Sequence, residues 1–112
     1  MKLSELQKKL GLKVLSGKRL LDREAKGGYA GDMLSDVLAN SKEGDVWLTV
    51  QVHPNIIAVS AMKGHSAILI VCGKNVDDET TKKADEEKVV ILQTELDTFS
   101  AAAKISKLLM NG

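Results

Sequence analysis

One cysteine, one proline, two histidines and one each of tryptophan, tyrosine and phenylalanine are all that the 112 residues contain of these types. The lone cysteine, Cys72, excludes an intramolecular disulfide and any thiolate cluster around zinc or an iron–sulfur centre. Its place in the apolar run Ala67-Ile68-Leu69-Ile70-Val71-Cys72 predicts a buried, inert thiol. No apolar run is longer than this one, and a membrane span needs about 18 residues. The N-terminus, Met1-Lys2-Leu3-Ser4-Glu5, turns polar at once and lacks the apolar core of a secretory signal, so a cytoplasmic protein is expected. Charge of one sign is missing too: 16 Lys+Arg stand against 15 Asp+Glu, a formal net charge of +1. Without a basic stripe or an aromatic platform, neither nucleic acid nor a membrane surface is an expected partner.

What is present is enough to fold. Hydrophobic residues make up 44% of the chain and charged residues 28%, a globular balance. A chain of this length supports one core, and no linker, repeat or low-complexity segment divides it, so residues 1–112 read as one domain. Leu3, Leu6 and Leu10 fall at helical spacing before Gly11, predicting a helix over 3–10. Residues 12–15 and 19–22 flank Ser16-Gly17-Lys18 and read as two extended pieces joined by a turn. Gly27-Gly28-Tyr29-Ala30-Gly31 reads as a glycine-rich loop, after which Asp32 can cap a helix turning Met33, Leu34, Val37 and Leu38 inward.

Residues 45–52 alternate, with Val46, Leu48, Val50 and Val52 on one face and Trp47 on the other, so a strand is expected. Trp47 then requires cover from a helix or from an interface. His53-Pro54-Asn55 opens a helix that Gly64 ends. Residues 67–72 and 89–92 are continuous apolar runs suited to central strands covered on both faces. Between them lies a helix with acid-before-base pairs, and a last helix is capped by Thr94 or Asp97, with Phe99 on its packing face. Right-handed crossovers would lay these strands parallel, giving an α/β domain with a mostly parallel central sheet and helices on both faces.

Catalytic patterns are scarce. A nucleotide P-loop needs Lys then Ser or Thr after its glycine, whereas Gly73-Lys74 is followed by Asn75. Neither His53 nor His65 has metal-ligand spacing, and no nucleophile elbow surrounds a serine, so no catalytic residue, metal ligand or cofactor is assigned. His65, beside Gly64, reads as a solvated surface residue. In open α/β sheets ligands gather beyond the carboxyl ends of strands. That rule brings His53 and Asn55, Gly73, and Thr94 to one rim as ligand-binding candidates. The Gly27-Gly28-Tyr29 stretch joins them as a possible anion loop.

The stretch Leu20 to Val37, with Asp22, Arg23, Gly27 and Gly28, resembles the signature of the DRTGG domain family. Gly44-Asp45-Val46-Trp47, His53-Pro54-Asn55-Ile56, the strand ending at Gly73, and Thr94-Glu95-Leu96-Asp97-Thr98-Phe99 extend that resemblance over nearly the whole chain; Lys26 stands where the family pattern has threonine. The resemblance implies a fold similar to the N-terminal domain of bacterial HPr kinase/phosphorylase and to the first domain of MurF-type ligases. It also implies a non-catalytic regulatory or interaction module, a homodimer, that senses a small phosphorylated, nucleotide-like ligand or docks on a partner protein. Asp22 and Arg23 thereby join the candidate ligand-binding residues. Two other readings stand beside it. One is an accessory subunit of a hydrogenase or NADH-oxidising assembly, anchored by Trp47 or Tyr29. The other is a small enzyme in which Asp22 and Arg23 hold an anion and His53 moves a proton.

Overall fold

The computed structural model describes residues 1–111. Leu3, Leu6 and Leu10 lie on helix α1 (Leu3–Leu10), which Gly11 ends with a left-handed φ of 63°. Strand β1 (Lys13–Ser16) follows, but it does not fold back on residues 19–22 as a hairpin. It pairs antiparallel with the distant β5 (Ile91–Gln93). Ser16 explains the choice: its hydroxyl donates to Val89 O (2.8 Å) and accepts from Ile91 N (2.9 Å), so it stands in for ladder bonds where the register slips. Residues 18–20 form a short 3-10 turn instead of a strand.

A second departure concerns the glycine-rich loop. Gly27–Ala30 is strand β2, paired parallel with β3 (Asp45–Thr49), and it does not open a helix. A Cβ at Gly27 would stand 2.9 Å from Asp45 Oδ1, so glycine there permits the close pairing. Helix α2 (Leu34–Asn40) follows with Met33 as its N-cap. Asp32 does not cap it; its Oδ1 accepts from Thr49 Oγ1 (2.8 Å) and Val50 N (2.9 Å), tying the end of β2 to the end of β3. Met33, expected inward, is 67% exposed.

Helix α3 (Asn55–Lys63) and strand β4 (Ala67–Ile70) come next, then α4 (Asp78–Glu86), β5 and α5 (Thr98–Asn111). Asp77 caps α4 by accepting from Thr80 N (2.8 Å), and Asp97 Oδ1 accepts from Ser100 N (2.8 Å) at the start of α5. The five strands lie in the order β1-β5-β4-β3-β2, all parallel except β1. Leu3, Leu6, Val46, Leu48, Leu69, Leu92, Ala101 and Ile105 form the core beneath α1 and α5. Val37, Trp47, Ile56, Ile57, Ile68, Ile70 and Ile91 form the core on the other face, beneath α2 and α3.

This is the mostly parallel α/β architecture with helices on both faces. Trp47 is fully buried, its Nε1–H donating to Gly31 O (2.9 Å), and so cannot anchor an external partner. Cys72 is exposed, just past the end of β4, with φ at 61°. Phe99 is 85% exposed and contributes nothing to the core face of α5. No helix is long and apolar enough to cross a membrane among the described residues.

Candidate functional site

The nine candidate residues fall into three separate places. Asp22 and Arg23 precede β2; Gly27, Gly28 and Tyr29 are β2 itself; His53 and Asn55 follow β3, Gly73 follows β4 and Thr94 follows β5. Since these strands run parallel, Arg23 lies at their amino rim and His53 at their carboxyl rim. The five residues of β3, at about 3.3 Å each, put roughly 15 Å between the rims. Asp22, Arg23 and His53 therefore do not form one polar cluster, which removes the geometry that the small-enzyme reading required.

At the carboxyl rim the candidates are engaged in shaping turns. His53 Nδ1 accepts from Asn55 N (3.0 Å) at the start of α3. Thr94 Oγ1 accepts from Leu96 N (3.2 Å), and Gly73 N donates to Thr94 O (2.9 Å). Gly73 has φ at 62°, and a Cβ there would run into the Glu95 carboxylate. Glycine is needed for that turn whether or not a ligand binds.

The amino rim encloses a different arrangement. A basin of about 410 Å³ opens there, bordered by Arg23 and Lys26 before β2, Glu43 and Gly44 before β3, Ser60 and Ala61 at the end of α3, Gly64 to Ser66 before β4, and Glu87 to Val89 before β5. The segment carrying Arg23 is strapped to the N-terminal residues: Leu3 N donates to Arg23 O (2.9 Å) and Ala25 N to Met1 O (2.8 Å). The Arg23 guanidinium donates through Nη2 to Lys88 O (2.7 Å), which uses one of its five N–H groups. Glu24 is held by the terminal ammonium, whose hydrogen bond and charge keep its carboxyl below the usual carboxylate range.

His65 is one of the buried side chains that line this basin. Gly64, with φ at 68°, closes α3, and the turn carries His65 inward, with His65 N donating to Ser60 O (3.2 Å). The imidazole is 5% exposed and stands 5.5 Å from the Trp47 ring, tilted by 52°. Ser41 Oγ donates its proton to Val37 O (2.6 Å), so its lone pair receives the Nε2–H of His65 (2.9 Å). That fixes the neutral tautomer with a bare Nδ1, and Nδ1 is buried with no hydrogen-bond partner in the protein. Burial pushes the imidazole pKa down, Asp45 opposes this and Lys63 adds to it.

Sequence reasoning assigned His65 to the surface and passed over Lys88, Ser60 and Ser66. One signal was available: only two residues separate the glycine C-cap, Gly64, from the apolar run 67–72, which leaves no length for a surface loop, so His65 and Ser66 must turn inward. Lys88, with φ at 58°, carried no such mark.

A family model described as "DRTGG domain" matches residues 5–108 of the chain. The uncharacterized protein YtoI of Bacillus subtilis (strain 168) is 30% identical over 98 residues, covering 79% of this chain; the chain spans only 22% of that relative. Among solved structures, the CBS and DRTGG domains of the regulatory region of Clostridium perfringens pyrophosphatase, complexed with the activator diadenosine tetraphosphate, are similar with a TM-score of 0.74. That likeness has 17% identity and covers 94% of this chain and 46% of the other, so it speaks to the fold.

Proposed function

The chain belongs to the DRTGG domain family, and on that premise we propose that it is a non-catalytic regulatory module that binds a small phosphorylated, nucleotide-like ligand in the amino-rim basin. The observation that carries this reading is the convergence of Arg23, Lys26 and Lys88 around a basin that His65 also lines, with the buried Nδ1 of His65 accepting no hydrogen bond from the protein. Cations alone would suit any anion. Glu43 and Glu87 border the same basin, so its lining suits a ligand with both an anionic end and N–H donors, as a nucleotide has.

The engagement of the basin's polar groups supports binding over chemistry. The Ser66 hydroxyl donates to Asp45 O (3.3 Å), and the bare Nδ1 of His65 has no hydroxyl within hydrogen-bond distance, so no nucleophile is paired with a base. The basin joins segments that precede four strands, so an occupant would tie together pieces far apart in sequence, as a regulatory ligand must. The pyrophosphatase region that shares the fold is described as regulatory and as complexed with an activating nucleotide, which agrees with this reading.

The test is thermal unfolding with mono-, di- and triphosphate nucleotides, diadenosine tetraphosphate, sugar phosphates and acetyl phosphate. A ligand at a hundred times its dissociation constant adds about 2.7 kcal/mol, a shift on the order of 10 °C for a chain of this size. Lys26→Gln and Lys88→Gln, at exposed positions, should each reduce the shift without lowering the melting point of the free protein. No saturable shift with any phosphorylated compound would refute the ligand, and turnover of one would refute the non-catalytic part.

A further inference from the structure

We propose that the amino rim carries a second anion subsite, in a concavity beside the basin, and that the whole site takes a ligand with a linear chain of several phosphates. The inference rests on the ligand reading of the basin for the organic end of that ligand, and it adds where the phosphates lie.

Sheet order spreads the cations. β1 and β2 are the two outer strands, so residues 17–26, which join them, cross the amino rim over four strand spacings, roughly 19 Å. The crossing starts beside β5, because β1 runs antiparallel and its last residue, Ser16, pairs with Ile91 at the beginning of β5. This strap carries Lys18, Arg19, Arg23 and Lys26. Its backbone is tied down along the way: Gly17 N donates to Asp85 Oδ1 (2.7 Å), Ser4 N to Leu21 O (2.8 Å) and Leu3 N to Arg23 O (2.9 Å). The four cations are therefore strung along the rim on a fixed support, and a compact anion cannot meet them all.

The concavity lies at the β1 end of the strap. It measures about 680 Å³, and Gly17, Lys18, Arg19, Leu20, Asp85 and Lys88 border it. Lys88 borders the basin as well, so the two hollows meet at this side chain. Their charge differs. The basin sets three cations, Arg23, Lys26 and Lys88, against three carboxylates, Glu24, Glu43 and Glu87, whereas the concavity sets Lys18, Arg19 and Lys88 against Asp85 alone. One oxygen of Asp85 already accepts from Gly17 N. A phosphate chain gains most by running past Lys88 toward Lys18 and Arg19, while the N–H donors of the ligand stay beside Glu43 and Glu87.

The backbone of Lys88 is an independent sign that this junction is used. It is left-handed, with φ at 58°, one residue past the C-cap Glu87 of α4, and Val89 N closes the turn on Ala84 O (2.8 Å). Glycine is the residue that such a position favours, because a Cβ there is strained. The Lys88 side chain is exposed and belongs to neither core, so packing does not account for it. Its charge, where the two hollows meet, is what a glycine could not supply.

Titration calorimetry with adenosine mono-, di- and triphosphate and with inorganic tripolyphosphate tests the subsite. Wild-type affinity should rise with each added phosphate, and tripolyphosphate alone should bind. The double variant Lys18→Gln, Arg19→Gln should weaken the triphosphate and tripolyphosphate by about tenfold or more and leave the monophosphate unchanged. Lys88→Gly should weaken every one of these anions and yet leave the melting point of the free protein at or above wild type, since it relieves the left-handed lysine. Tripolyphosphate that fails to bind wild type overturns the subsite, as does a double variant that weakens mono- and triphosphate equally or neither; the ligand reading of the basin survives if the nucleotides still bind. Tripolyphosphate binding that depends on Lys18 and Arg19, with no nucleotide bound, supports the subsite, identifies an inorganic phosphate chain as the ligand and refutes the nucleotide reading. A Lys88→Gly protein that melts lower but binds as well as wild type assigns the lysine to the fold and overturns its place in the site.

Discussion

Replacing His65 with phenylalanine separates two opposing contributions that the structure places on one ring. The variant loses the bond from Nε2–H to Ser41 Oγ, worth about 0.5–1.5 kcal/mol net, but removes a buried Nδ1 without a partner, a liability of about 1–3 kcal/mol. The contact with Trp47 survives, because an aromatic ring remains at the same place. At pH 8 the variant should therefore lie within about 1 kcal/mol of wild type. Acidification changes the comparison. Burial lowers the folded-state pKa of His65, whereas the unfolded imidazole takes a proton near the ordinary value of about 6.5. Below that pH the unfolded wild type binds more protons than the folded one, so wild-type stability falls as pH falls, until the folded-state pKa is passed. Phenylalanine has no such term. Between pH 7.5 and 5.5 the gap should move in the variant's favour by up to about 1.4 kcal/mol, or up to about 6 °C in melting temperature. Urea midpoints across that range, taken as differences, cancel the other titrating groups. A gap that does not change with pH, or one that moves toward wild type on acidification, would refute the buried neutral ring.

Two further predictions concern groups whose placement the structure revised. Ser16→Ala strips partners from Val89 O and Ile91 N at once, so it should cost about 2–4 kcal/mol and lower the melting point by about 10–15 °C; Ser35→Ala, at an exposed position, should stay within about 0.5 kcal/mol, and equal effects would discard the role given to Ser16. Cys72, being exposed, should react stoichiometrically with a thiol reagent in the native protein without denaturant, while a thiol that titrates only after unfolding would place it back in the core.

The elements that local periodicity determines were legible. Leu3, Leu6 and Leu10 stand on one face of α1, Gly11 ends it, and the apolar runs became the buried central strands β4 and β5. β2 was not legible because Gly27-Gly28-Tyr29-Ala30 has a turn-forming composition, and only the neighbouring β3 makes it a strand. The same cause hid the destination of β1, whose partner lies more than seventy residues away along the chain; the Ser16 to Ile91 bond spans 75 positions. Of the residues that border the amino-rim basin, Arg23 had been singled out, through the family resemblance. His65 was hidden because a glycine neighbour suggests a loop, while the closing turn of α3 instead drives the following residue beneath Trp47. The general preference for carboxyl-end sites pointed to the opposite rim, where His53, Gly73 and Thr94 take part in turns.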